Sequence, residues 1–126
     1  MNAGDTFIIP MPGTSYDSHL WMLISDPQAG EFGVIVNFTS WRADKDQACI
    51  VEPGDHPYVS KRTCVNFKDA KKRKLIDLES LISSRNLKNS APLSASLLAK
   101  IRNAVLESRM NWECVQLLLE QGLIST

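Results

Sequence analysis

The chain has 126 residues, and its 14 lysines and arginines balance 14 aspartates and glutamates, so the net field of the molecule selects no partner. That length suits one domain with a core large enough to need neither disulfides nor a structural metal. Cys49, Cys64 and Cys114 are odd in number and form no C-x-x-C pair. With no basic or apolar leader and no run long enough to cross a membrane, a cytoplasmic protein with reduced thiols is expected.

Thr6 to Ile9 is β-branched and aromatic and is stopped by Pro10, Pro12 and Gly13, which predicts a first strand. A polar loop follows over 14–18, offering Tyr16. Leu20 to Ile24 is continuously apolar and ends at Asp26-Pro27, the pattern of a central strand buried on both faces. Val34 to Phe38 reads as a third strand, at whose end Thr39, Ser40, Trp41 and Arg42 leave the sheet. Ala48 to Val51, Tyr58-Val59 and Thr63 to Phe67 read as further short strands, and Asp69 to Lys74 as a basic turn or single helical turn.

After Ile76 the pattern becomes helical. Leu78, Leu81 and Ile82 predict a short helix with Asp77 as its cap. Pro92-Leu93-Ser94 opens a longer one carrying Leu97, Leu98, Ile101, Ala104 and Val105. A last helix over about 111–121 places Trp112, Val115, Leu118 and Leu119 on one face and stops at Gly122. The expected fold is α+β: a small antiparallel barrel over about 4–76 with C-terminal helices over about 77–122, all one domain.

Histidine is the side chain best suited to moving protons near neutral pH, and this chain has two, His19 and His56, each at the edge of an apolar run. Asp55 beside His56 supplies a carboxylate, although in that turn both residues also suit side-chain-to-backbone bonding. Thr39 and Ser40 offer hydroxyls to a phosphate. Trp41 and Tyr58 suit stacking on unpaired bases, with packing as the alternative. Seven of the 14 basic residues, Lys61, Arg62, Lys68, Lys71, Lys72, Arg73 and Lys74, share a stretch whose only acid is Asp69, a composition that suits a polyanion or a solvated surface. Cys49, His56 and Cys64 match no zinc spacing, and no phosphate-loop, dinucleotide or nucleophile-elbow motif is present. No metal or other cofactor is expected.

Gly4-Asp5-Thr6-Phe7-Ile8-Ile9, Leu20 to Pro27, and Val34-Ile35-Val36-Asn37-Phe38-Thr39-Ser40 together resemble the MazF/PemK family of toxin endoribonucleases, over about residues 4–106. The resemblance implies an SH3-like barrel that cuts single-stranded RNA without a metal, forms a homodimer and is held in check by an antitoxin protein. Thr39 matches the family's threonine at the end of the third strand, and Ser40 its neighbour. Where family members generally carry an arginine just before the second strand, this chain has Ser18-His19. The expected mechanism therefore pairs His19 with His56 as base and acid. Thr39 and Ser40 position phosphate, Lys61 or Arg42 stabilises charge, and Tyr16, Trp41, Tyr58 and Arg62 contact the RNA. A non-catalytic barrel binding nucleic acid or protein is the alternative; an interaction protein using the Trp112 helix face is a third reading.

Overall fold

Alternating and continuous apolar runs produce five strands, which the computed structural model describes together with the helices over residues 1–10, 18–85, 87 and 89–125. Strands β1 (Thr6–Pro10), β2 (Ser18–Leu23), β3 (Phe32–Ser40), β4 (Ile50–Val51) and β5 (Thr63–Lys74) form one antiparallel sheet in the order β1-β2-β3-β5-β4. Helices α1 (Leu75–Ser84), α2 (Ala95–Ala104) and α3 (Trp112–Glu120) follow, with a 3₁₀ turn at Val105–Glu107.

The continuous apolar run of β2 is buried on both faces because helices cover both. Leu20 and Met22, with Val34, Val36 and Phe38 of β3 and Val65 and Phe67 of β5, pack against Leu97 and Ile101 of α2 and Val115 and Leu118 of α3. On the opposite face Phe7, Trp21, Leu23 and Ile35 pack against Leu78 of α1. Ser94 and Asn111 cap α2 and α3, their side-chain oxygens accepting from the N–H groups of Leu97 and Cys114, each cap stabilising its helix by about 1 kcal/mol. Gly122, at φ +71°, ends α3 in the left-handed conformation that glycine adopts without strain.

Several expectations are corrected. The residues from Asp69 to Lys74 are not a turn: β5 runs unbroken from Thr63 to Lys74. Its register with β3 shifts between Asn37↔Asn66 and Ile35↔Lys71, so four residues of β5, 67–70, face one residue of β3. This bulge hides the strand from a periodicity reading. Asn111 Nδ2 donates to the Ala70 carbonyl within it, and Asn66 Nδ2 donates to Asp69. Tyr58-Val59 is a turn rather than a strand, β4 keeps only two residues, and α1 starts at Leu75 without a side-chain cap, leaving Asp77 in its first turn. Trp112 is 66% exposed, outside the apolar face of α3, where Cys114 joins Val115 and Leu118 instead.

The sheet is curled, and its two edges meet through one backbone oxygen. The Ala91 carbonyl accepts from Thr6 Oγ1 on edge strand β1 at 2.9 Å and from His56 Nε2, just beyond edge strand β4, at 2.6 Å. Among the described residues β1 and β4 do not pair with each other, so side chains and the 89–93 segment bridge the gap.

Candidate functional site

The β2–β3 ladder pairs Trp21 with Asn37 and goes no further toward the ends of the strands. Beyond that point a side chain replaces the backbone: His19 Nδ1 lies 3.0 Å from the Phe38 carbonyl oxygen. A carbonyl only accepts, so Nδ1 carries the hydrogen and Nε2 of the neutral ring holds the lone pair. Where the strands part, a cleft of about 290 Å³ opens, lined by His19, Phe38, Thr39, Ser40, Tyr58, Ser60, Lys61 and Thr63. The Ser40↔Thr63 pair of β3 and β5 forms part of it, and Thr63 Oγ1 donates to the Lys61 carbonyl at 2.9 Å, fixing the turn that carries the lysine.

This cleft gathers His19, Thr39, Ser40, Tyr58 and Lys61 from the sequence-derived set. Thr39 Oγ1 accepts from Lys45 Nζ at 3.3 Å, which adds a second ammonium beside it. Ser60 and Thr63 were not singled out in the sequence; the signal for Thr63 lies in the register, as the hydroxyl residue opposite Ser40. Tyr16 falls outside the described residues.

His56 stands elsewhere. It is 3% exposed, and both ring nitrogens are occupied: Nδ1 accepts from the Tyr58 N–H at 3.1 Å and Nε2 donates to Ala91. Its ring meets the Phe38 ring edge-on at 6.1 Å, on the side of β3 that packs into the core. The adjacent Asp55 carboxylate accepts from the Glu52 N–H at 2.9 Å, shaping the turn in which Gly54 adopts φ +99°. With no free nitrogen, His56 has none to offer a substrate or a metal in this conformation.

The remaining cations and aromatics flank the cleft without lining it. Arg42 holds Asp44 through Nε at 3.2 Å and Nη2 at 3.1 Å, which raises the guanidinium's pKa and lowers the carboxyl's. Arg62 Nε donates to Glu52 at 2.7 Å, and its guanidinium lies over the Trp41 ring, 5.7 Å from the ring centre.

A larger hollow, about 390 Å³, lies between the N-terminus, α1 and the 89–92 segment. Among the described residues Asp5 and Glu79 line it without a lysine or arginine, and Glu79 sits 3.6 Å from the Met1 ammonium. Among the described residues no three histidine, cysteine or carboxylate side chains cluster as a metal site would require. All three cysteines are free and buried, and burial raises each thiol above its usual pKa, Cys49 to about 11.

No family model, curated protein or solved structure matches this chain. Among the described residues no helix is long and apolar enough to cross a membrane.

Proposed function

We propose that the cleft binds the phosphodiester backbone of single-stranded RNA and cleaves it without a metal, as a MazF/PemK-like toxin endoribonuclease of SH3-like barrel architecture acting in the cytoplasm. One observation carries the reading: His19 is held by the Phe38 carbonyl as the Nδ1–H tautomer in a cleft that also holds Lys61 and a row of hydroxyls. Positioning by a backbone carbonyl keeps the Nε2 lone pair in one orientation, as a general base requires.

In this mechanism His19 Nε2 takes the proton of a ribose 2′-hydroxyl, and the 2′-oxygen attacks the adjacent phosphorus. The Lys61 ammonium stabilises the charge that builds on the phosphorane oxygens. The P–O5′ bond then breaks, the 5′-oxygen takes a proton from water, the hydroxide so formed takes the proton held on His19, and a 2′,3′-cyclic phosphate and a 5′-hydroxyl remain. Thr39, Ser40 and Ser60 hold the non-bridging oxygens, and Tyr58 offers a ring face to a base. The imidazole-pair form of the mechanism is set aside, because His56 uses both nitrogens in the fold. The reading includes an antitoxin protein that covers this cleft and a homodimer of the barrel.

A binding-only barrel is the second reading, favoured by the lone imidazole of the cleft. Incubating long single-stranded RNA with wild type, His19→Ala and Lys61→Ala in EDTA separates the two. Discrete wild-type cuts bearing cyclic-phosphate ends, reduced about 10²–10⁴-fold by His19→Ala, are the expected result. RNA left intact by wild-type protein that still binds it would establish the binding-only barrel.

A further inference from the structure

The fold divides the basic residues of 61–74 into engaged and available groups. Arg62 is held by Glu52, Lys74 lies 3.7 Å from Glu31, and the Lys72 ammonium sits 4.9 Å from the Phe32 ring centre. Lys68, Lys71 and Arg73 are exposed and meet no acidic side chain among the described residues. Asp69, the one acid in the stretch, already accepts from Asn66. Arg73 spends one donor on the Lys72 carbonyl and keeps the rest of its fork.

Their placement follows from the strand. Lys71 and Arg73 are opposite Ile35 and Gly33, so the two-residue period puts both on one face of the sheet, while Lys68 lies in the bulge. β5 begins at Thr63, inside the cleft, and the stretch of β3 from Ser40 to Gly33 spans about 23 Å at roughly 3.3 Å per residue. A row of unpaired like charges repels itself, and a polyanion lying along it relieves that repulsion while releasing its own counterions.

We propose that Lys68, Lys71 and Arg73 form a second phosphate-contacting row, along which single-stranded RNA held at the cleft continues down β5. The proposal takes only its starting point from the cleft reading.

Fluorescence anisotropy with 2′-O-methyl oligoribonucleotides, which lack the attacking hydroxyl, tests it. A tetramer and a 16-mer bracket the about 4–16 nucleotides that single-stranded sites commonly cover. Wild type is compared with the triple variant Lys68→Ala, Lys71→Ala, Arg73→Ala and with Lys61→Ala. The triple variant should bind the 16-mer at least about tenfold more weakly and lower the salt slope by about 2, since each single-strand phosphate contact contributes roughly 0.7. Its affinity for the tetramer should change less than about twofold, whereas Lys61→Ala should weaken both. A triple variant that keeps wild-type affinity and salt slope on the 16-mer overturns the row and leaves the cleft standing. Binding of the 16-mer alone, lost in the triple variant, upholds the row and removes the cleft. No binding of either oligomer by wild type overturns both. Should the alanine triple unfold, as read by circular dichroism, the corresponding glutamine triple carries the same comparison.

Discussion

Replacing His56 by alanine removes the acceptor for the Tyr58 N–H and one of the two donors to the Ala91 carbonyl, which Thr6 continues to serve. Leaving a buried partner unsatisfied costs roughly 1–3 kcal/mol, so His56→Ala should lower the urea midpoint by an amount equivalent to about 2 kcal/mol with an unchanged slope. A midpoint equal to wild type would contradict the latch role. Asn37 presents the opposite case: it is 3% exposed and its Oδ1 has no hydrogen-bond partner among the described residues. Asn37→Val removes an uncompensated polar group and adds a β-branched side chain to a strand. It should be neutral or stabilising by up to about 1 kcal/mol, read as a raised thermal midpoint. At this scale the sequence singled out both imidazoles but not where the fold places them. The partner that occupies His56 Nε2 is a backbone carbonyl 35 residues away, and no local pattern announces it. His19 was legible for the converse reason: it heads an apolar strand, and strand ends are where a sheet opens.

Among the described glycines, the closest approach of other side chains is at Gly33, where β3 passes under the start of α1. A Cβ there would lie 2.8 Å from both Leu23 Cδ1 and Leu75 Cδ2, flexible tips that can shift only by disturbing the packing between sheet and helix. Gly33→Ala should therefore cost about 1 kcal/mol, measured by urea unfolding; a stabilised variant would show that the α1 contact is loose. β2 and β3 were readable because their apolar runs, Leu20 to Ile24 and Val34 to Val36 with Phe38, are too short for a free-standing helix. β5 was half readable. Its first part alternates, but the bulge at 67–70 breaks the period, and the lysines beyond it resemble a turn until their pairing with β3 is known. The face of α3 was legible at Val115 and Leu118, while Trp112 sits beside the Asn111 cap and stays in solvent.

Across the whole molecule the three thiols lie inside, held neutral by burial. An exposed cysteine ionises near pH 9, whereas Cys49 in the fold does so at about 11. Above pH 9 the unfolded chain gains charge that the folded chain does not, so stability declines as pH rises from 9 through about 11, and none of this contribution is lost below 9. Urea midpoints taken between pH 8 and 10.5 should fall accordingly, and a thiol reagent at pH 8 should label none of the three cysteines until the protein is unfolded. Rapid labelling of the native chain would contradict the buried placement. That an α+β domain of antiparallel strands followed by helices would form was legible from the order of apolar runs. In place of the expected barrel the described strands form a curled sheet whose edges do not pair. The meeting of those edges at Ala91 was not legible, because Thr6, His56 and Ala91 are brought together only by the completed sheet.

Because the chain holds just two histidines, long-range ¹H–¹⁵N spectra of the imidazoles distinguish the cleft ring from the buried one directly. His19 should appear as the Nδ1–H tautomer and His56 as the Nε2–H tautomer. Adding a 2′-O-methyl RNA oligomer should move the His19 Nε2 resonance and leave both nitrogens of His56 in place. Perturbation of His56 with a silent His19 would contradict the cleft reading, placing the substrate at the imidazole assigned here to the fold.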